Sequence, residues 1–161
     1  LYNITQDSLK TAGPIIFITA AGSVLGQIIV EAGFVGYIKE NASSLSSIGL
    51  FFPFVIAAIL KSSQGSSTVA MTTTAGIMGL YFSDASLMTA LGMTTPLDAA
   101  MVVMAIGAGA MTVSHANDSY FWVVTNFGGL TPQNGYKTQT ALTFILGVTS
   151  IITLFVISLF V

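Results

Sequence analysis

From Ala141 to Val161 the chain carries no charged residue and no proline. Wound as a helix this stretch is about 30 Å long, the thickness of a bilayer's hydrocarbon core. Such a segment must either be buried in a large soluble core or face lipid, and composition decides between the two. Of 161 residues, 53% are hydrophobic and only 6% charged, whereas soluble domains carry roughly a quarter charged residues. The expectation is an all-α integral membrane protein, a polytopic helical bundle whose first partner is the lipid bilayer. Four Lys, no Arg and a net charge of −2 leave no basic patch, which excludes nucleic acid as a partner. Cysteine is absent and His115 is the single histidine, so no metal site and no cofactor is expected. The chain opens on Leu1 without a basic-then-apolar leader and closes on apolar residues, so it reads as a segment that starts inside a longer protein and stops at or near a natural C-terminus.

Four membrane units follow one another. Residues 11–30 are long enough to span, with Pro14 in the first turn where a missing N–H costs little. Thr19, Ser23, Gln27 and Glu31 recur every four residues and, with the Gly22-x-x-x-Gly26 spacing, mark a face that packs on another helix. A polar connection leads to residues 48–60 and 68–82, two apolar arms around Lys61-Ser62-Ser63-Gln64-Gly65-Ser66-Ser67. Each arm is only about 20 Å long as a helix. The unit is therefore expected to be a re-entrant hairpin or a helix broken in mid-membrane. The third unit, residues 96–113, is rich in Ala and Gly and runs into a second polar break at 114–119, with Tyr120 to Phe127 as a short continuation. The last span is placed at 138–161. Asp84 and Asp98 read as helix-capping residues, Asp98 behind Thr95 as N-cap and Pro96 at the first helical position.

A polar interruption between short apolar halves points to a transporter binding site. The helix restarting near Ser66 offers free N–H groups, and Ser66, Ser67 and Thr68 add hydroxyls, which together suit a carboxylate. Lys61 either strengthens that anion contact or snorkels to the interface. Gln64 and Asn117 are two-way hydrogen-bonders suited to a hydroxylated solute. His115 and Asp118 are the groups able to carry a coupling proton, unless a buried Asp118 pair only fixes the unwound segment. Ser114, His115 and Asp118 are also the residue types of a hydrolytic triad, but sequence neighbours do not normally achieve that relay, and an enzyme is not expected. A non-transporting membrane subunit, whose breaks bind a partner, is the remaining alternative.

The stretches Gln64-Gly65-Ser66-Ser67-Thr68-Val69-Ala70 and Ser114-His115-Ala116-Asn117-Asp118-Ser119-Tyr120-Phe121-Trp122 resemble the paired signatures of the gluconate permease family, proton symporters of the bacterial inner membrane. The resemblance covers nearly the whole chain and places it in the C-terminal third of such a permease. It implies a carrier for gluconate or a related small anionic hydroxy acid, completed by the permease's missing N-terminal half. It adds Gly65 and Ser119 to the substrate-binding set, and it implies the second of two inverted repeats of an ion-transporter-type carrier. Ala116 and Tyr120 stand where members often have Val and Gly, which leaves other sugar acids, glycerate and D-serine open as substrates. The implied coupling ion is H⁺, with Na⁺ held by unwound carbonyls and hydroxyls as the alternative. The scattered Lys residues fix no orientation, and a homo-oligomer is compatible with the sequence.

Overall fold

The computed structural model describes residues 5–10, 31–32, 48–79, 83–84 and 86–160. The expected span at 11–30, with its Gly22 and Gly26 face, lies outside them, as does most of the connection that follows. The described residues contain helices and no strand. From Phe51 onward these are α1 (Phe51–Gln64), α2 (Ser67–Met78), α3 (Leu87–Ala90), α4 (Pro96–Met111), α5 (Ser119–Phe127), α6 (Pro132–Gly135), a π-helical turn (Tyr136–Thr140) and α7 (Ala141–Ser158).

Small side chains make α4 the axis on which α1, α2 and α7 pack. A Cβ at Gly109 would overlap the Phe54 carbonyl oxygen and lie 2.9 Å from the Ala57 Cβ, so only glycine lets α1 approach this closely. Gly147 brings α7 against Thr112 in the same way. Ala57, Ala70, Val102, Ala105, Ile106, Ala110, Ile151 and Leu154 fill the contact.

α1 and α2 fold back on each other as a helical hairpin. The interruption expected over Lys61 to Ser67 is narrower than its polarity suggests. Lys61 to Gln64 continue the helix, because polar side chains do not unwind a backbone whose hydrogen bonds are intact. What stops it is Gly65, left-handed at φ 81°, whose N–H returns to the Lys61 carbonyl at 2.9 Å. Ser66 then N-caps α2 by accepting the Val69 N–H at 3.3 Å. The far end of α2 is Met78, short of the expected Phe82, since Gly79 turns the chain at φ 71° against Ser86.

α4 starts in a reciprocal capping box. Thr95 Oγ1 accepts the Asp98 N–H at 3.1 Å, and Asp98 Oδ2 accepts the Thr95 N–H at 2.9 Å. Thr95→Ala should lower stability by about 1 kcal/mol, read as a drop in thermal unfolding temperature in detergent. At α3 the cap is Ser86, which accepts the Thr89 N–H at 3.2 Å, and not Asp84.

The last helix begins earlier than position 138, because Thr131 caps it and Pro132 takes its first position. Pro132 to Ser158 runs unbroken for 27 residues, its most apolar 18-residue stretch has a mean hydropathy of 2.3, and among the described residues it alone is long and apolar enough to cross a membrane. Leu142, Phe144, Ile145, Ile152 and Val156 point outward from it.

Candidate functional site

The second interruption runs from Thr112 to Asp118, so Ser119 already belongs to the first turn of α5. Val113 sits at φ 58°, a conformation that costs a β-branched residue about 1–3 kcal/mol and persists only where the surroundings enforce it. Two threonines near the start of the last span provide that enforcement. The Ser114 N–H donates to Thr143 Oγ1 at 3.0 Å, and Thr140 Oγ1 donates to the Ser114 carbonyl at 2.6 Å. Asp118 closes the segment as the N-cap of α5, its Oδ1 accepting the Tyr120 N–H at 3.0 Å.

The two interruptions lie against each other. Helix α1 ends with carbonyls that have no partner within the helix, and the second break supplies partners. Asn117 Nδ2 donates to the Ser62 carbonyl at 2.7 Å, and His115 Nε2 lies 3.2 Å from the same oxygen. A Cβ at Gly65 would overlap the Asn117 carbonyl oxygen and lie 2.6 Å from its carbon, so two stretches of backbone touch there. Trp122 Nε1 donates to the Ala116 carbonyl at 2.8 Å and ties α5 to the loop before it.

An ion pair stands at the centre. Lys61 Nζ lies 2.6 Å from Asp118 Oδ2, and Ser114 Oγ donates to that same oxygen, also at 2.6 Å. Lys61 is 2% exposed and Asp118 4% exposed. Each ion taken out of water costs several kcal/mol, so neither would be stable here without the other. Lys61 Nζ donates further to the Gly65 carbonyl at 2.7 Å, holding the hairpin tip. It therefore does not snorkel to the interface, one of the two expectations set out for it. Its stem is buried along α1 and its charge is engaged by Asp118.

Beside the pair is a cavity of about 100 Å³ lined by Lys61, Ser67, Ser114, Asp118, Tyr120 and Thr143, with Met111 at its apolar side. A water molecule's share of the liquid is about 30 Å³, so the space fits a carboxylate-sized group. Small-molecule sites usually exceed about 300 Å³, and a six-carbon chain does not fit.

The residues singled out in the sequence thus separate. Lys61, Ser67 and Asp118 border the cavity; His115 and Asn117 bind the end of α1. Gly65 and Ser66 shape the hairpin tip, and the Ser66 hydroxyl caps its own helix, so the anion site expected over Ser66 to Thr68 keeps only Ser67 at the cavity. Thr68 and Ser119 are exposed, and the side chain of Gln64 lies outside the described set. No hydrolytic relay forms, since the Ser114 hydroxyl donates to Asp118 while His115 faces Ser62. Thr140, Thr143 and Tyr120 were not legible as site residues. The only trace of the threonines is two hydroxyls spaced one turn apart at the start of an apolar helix.

Over residues 1–160 the chain matches the family described as GntP family permease. It is 39% identical over 148 residues to the inner membrane permease YgbN of Escherichia coli, a match covering 91% of this chain and 30% of that protein. Against the gluconate permease of Bacillus licheniformis identity is 32% over 160 residues, covering 97% of this chain and 34% of the relative. Against the Gnt-II system L-idonate transporter of Escherichia coli it is 31% over 142 residues, covering 88% and 30%. The chain spans about a third of the length of these curated relatives. No solved structure matches.

Proposed function

The chain belongs to the GntP permease family, and we propose that it forms part of a multi-pass carrier of the bacterial inner membrane that moves gluconate or a related sugar acid. It is a transporter segment and not an enzyme. The observation that carries this reading is the buried Lys61–Asp118 pair where two helix interruptions meet, beside a cavity of carboxylate size. Ionisable groups at such depth are costly, and they mark solute or ion paths by default. Relatives named for gluconate and for L-idonate support a sugar acid as the solute.

On this reading the acid's carboxylate enters the cavity next to Ser67, and its hydroxylated chain lies outward toward Asn117, in a cleft completed by the rest of a longer permease. Asp118 carries the coupling proton and His115 is the second candidate. A sodium ion is disfavoured at Asp118, because the Lys61 ammonium already stands at 2.6 Å, where a cation would bind.

Uptake of labelled gluconate by the full-length permease in proteoliposomes tests the proposal. With the outside acid and no sodium present, gluconate should accumulate, excess L-idonate should compete, and a protonophore should abolish accumulation. Indifference to both acids overturns the substrate class, and accumulation that survives the protonophore overturns proton coupling.

A further inference from the structure

We infer that Lys61 is the receptor for the substrate's carboxylate and that Asp118 occupies it in the unloaded site, so that a proton and the anion are taken up as one neutral exchange. The inference rests on the carrier reading above and specifies how its site works.

Among the described residues Lys61 is the only buried cation. An acid entering the cavity meets no other positive charge. From α2, α4, α5 and α7 the walls receive Ser67, Met111, Tyr120 and Thr143, none of them a basic residue. His115, the other titratable group at the breaks, is turned to the Ser62 carbonyl.

Charge balance then fixes the order of events. The unloaded site holds one ammonium and one carboxylate, and is neutral. Adding a second carboxylate would leave a net negative charge in a low-dielectric interior, which is strongly unfavourable. If a proton from the medium first forms an O–H bond at Asp118 Oδ2, Lys61 loses its counter-charge and keeps only its bond to the Gly65 carbonyl. The protonated Asp118 now donates, and the Ser114 hydroxyl, formerly the donor to that oxygen, can turn and accept. The Lys61 ammonium gives up no proton and takes the incoming carboxylate in Asp118's place. Lys61 with the substrate is again a neutral pair, now beside a neutral Asp118. On release the anion leaves, Asp118 returns its proton to water, and the original pair reforms.

The local dipoles fit both states. Lys61 lies in the last turn of α1, where the helix end favours a cation. The cavity abuts the first turn of α2 at Ser67, where an anion is favoured.

The test is equilibrium exchange of labelled gluconate by the full-length permease, with equal pH on both sides, from pH 5 to pH 8. In the wild type KM should rise with pH, reaching roughly tenfold per unit at the alkaline end, the slope of one required proton. Asp118→Asn has no charge to be displaced, so its KM should be flat across the range and below wild type at pH 8. Adding Lys61→Gln to Asp118→Asn leaves no lone buried charge, yet should raise KM at least about thirtyfold over Asp118→Asn alone, by loss of a buried charge contact. Should Asp118→Asn not reach the membrane, Ser114→Ala serves instead. It removes an O–H donor that favours the ionised carboxylate, and should move the rising limb to higher pH.

A pH-independent wild-type KM, an Asp118→Asn whose KM keeps the wild-type slope, or a Ser114→Ala whose rising limb stays at the wild-type pH overturns the exchange. A double variant that binds as well as Asp118→Asn overturns Lys61 as receptor. In each of these cases gluconate is still carried and the function stands. If correctly inserted wild-type protein carries no sugar acid at all, the function and the exchange fall together.

Discussion

Replacing Gly65 with alanine is expected to cost more than about 4 kcal/mol, enough to keep the permease from accumulating in folded form. Two penalties coincide at this position. The residue is left-handed at φ 81°, which costs an alanine about 1–2 kcal/mol on any backbone. The added Cβ would also overlap the Asn117 carbonyl oxygen, and backbone cannot rotate aside as a side chain does. Relief requires separating the two interruptions, which breaks the Asn117 bond to Ser62 and pulls Lys61 from Asp118. Gly92 isolates the first penalty, being left-handed at φ 80° with nothing within 4 Å of a built Cβ. Gly92→Ala should cost only about 1–2 kcal/mol. Thermal unfolding of the two variants in detergent, followed by size-exclusion chromatography, measures the difference. Equal losses would mean that the contact between the breaks contributes nothing.

The second large effect is expected at the ion pair. Lys61→Met should destabilise by about 3–5 kcal/mol, because Asp118 would be left charged and buried, with only Ser114 and the Tyr120 N–H to satisfy it. Most of that loss should return when Asp118→Asn is added, since an apolar side chain of similar length beside a neutral amide leaves no uncompensated charge. The double variant's unfolding temperature should thus lie closer to wild type than that of Lys61→Met. If the two losses simply add, the side chains act independently and the pair is not a unit. Stability and transport part company here: on the exchange proposed above, the double variant should fold and yet take up sugar acid with a KM raised at least about thirtyfold.

The helical character of this chain is legible in its apolar arms, and so is where its polarity concentrates. Where the helices end is not. Lys61 to Gln64 look like a loop because they are polar, but a helix tolerates polar residues, and only the left-handed Gly65 stops it. At the second break the unwinding begins before the polar run, at Thr112 and Val113, and the strained Val113 is held in place by the hydroxyls of Thr140 and Thr143 far along the chain. The same distance hides the ion pair. Lys61 and Asp118 each suggest an ionisable site by depth and type, but their meeting depends on α1 and α4 approaching over Gly109, which no local pattern encodes.

The bond from Asn117 to the Ser62 carbonyl joins residues 55 positions apart, with consequences for how the protein is made. When the hairpin of α1 and α2 leaves the ribosome, the partners of its tip do not yet exist. At about 5–20 residues per second they arrive roughly 3–11 seconds later. Until then Lys61 lacks its Asp118 counter-ion and the Ser62 carbonyl its Asn117 donor, so little holds the hairpin tip in its final place. Its insertion should await the synthesis of α4 and the segment after it, which makes α1 to α5 a single cooperative unit of biogenesis. A ribosome stalled before Asn117 emerges should leave the hairpin accessible to water-soluble probes, and one stalled after α5 emerges should not.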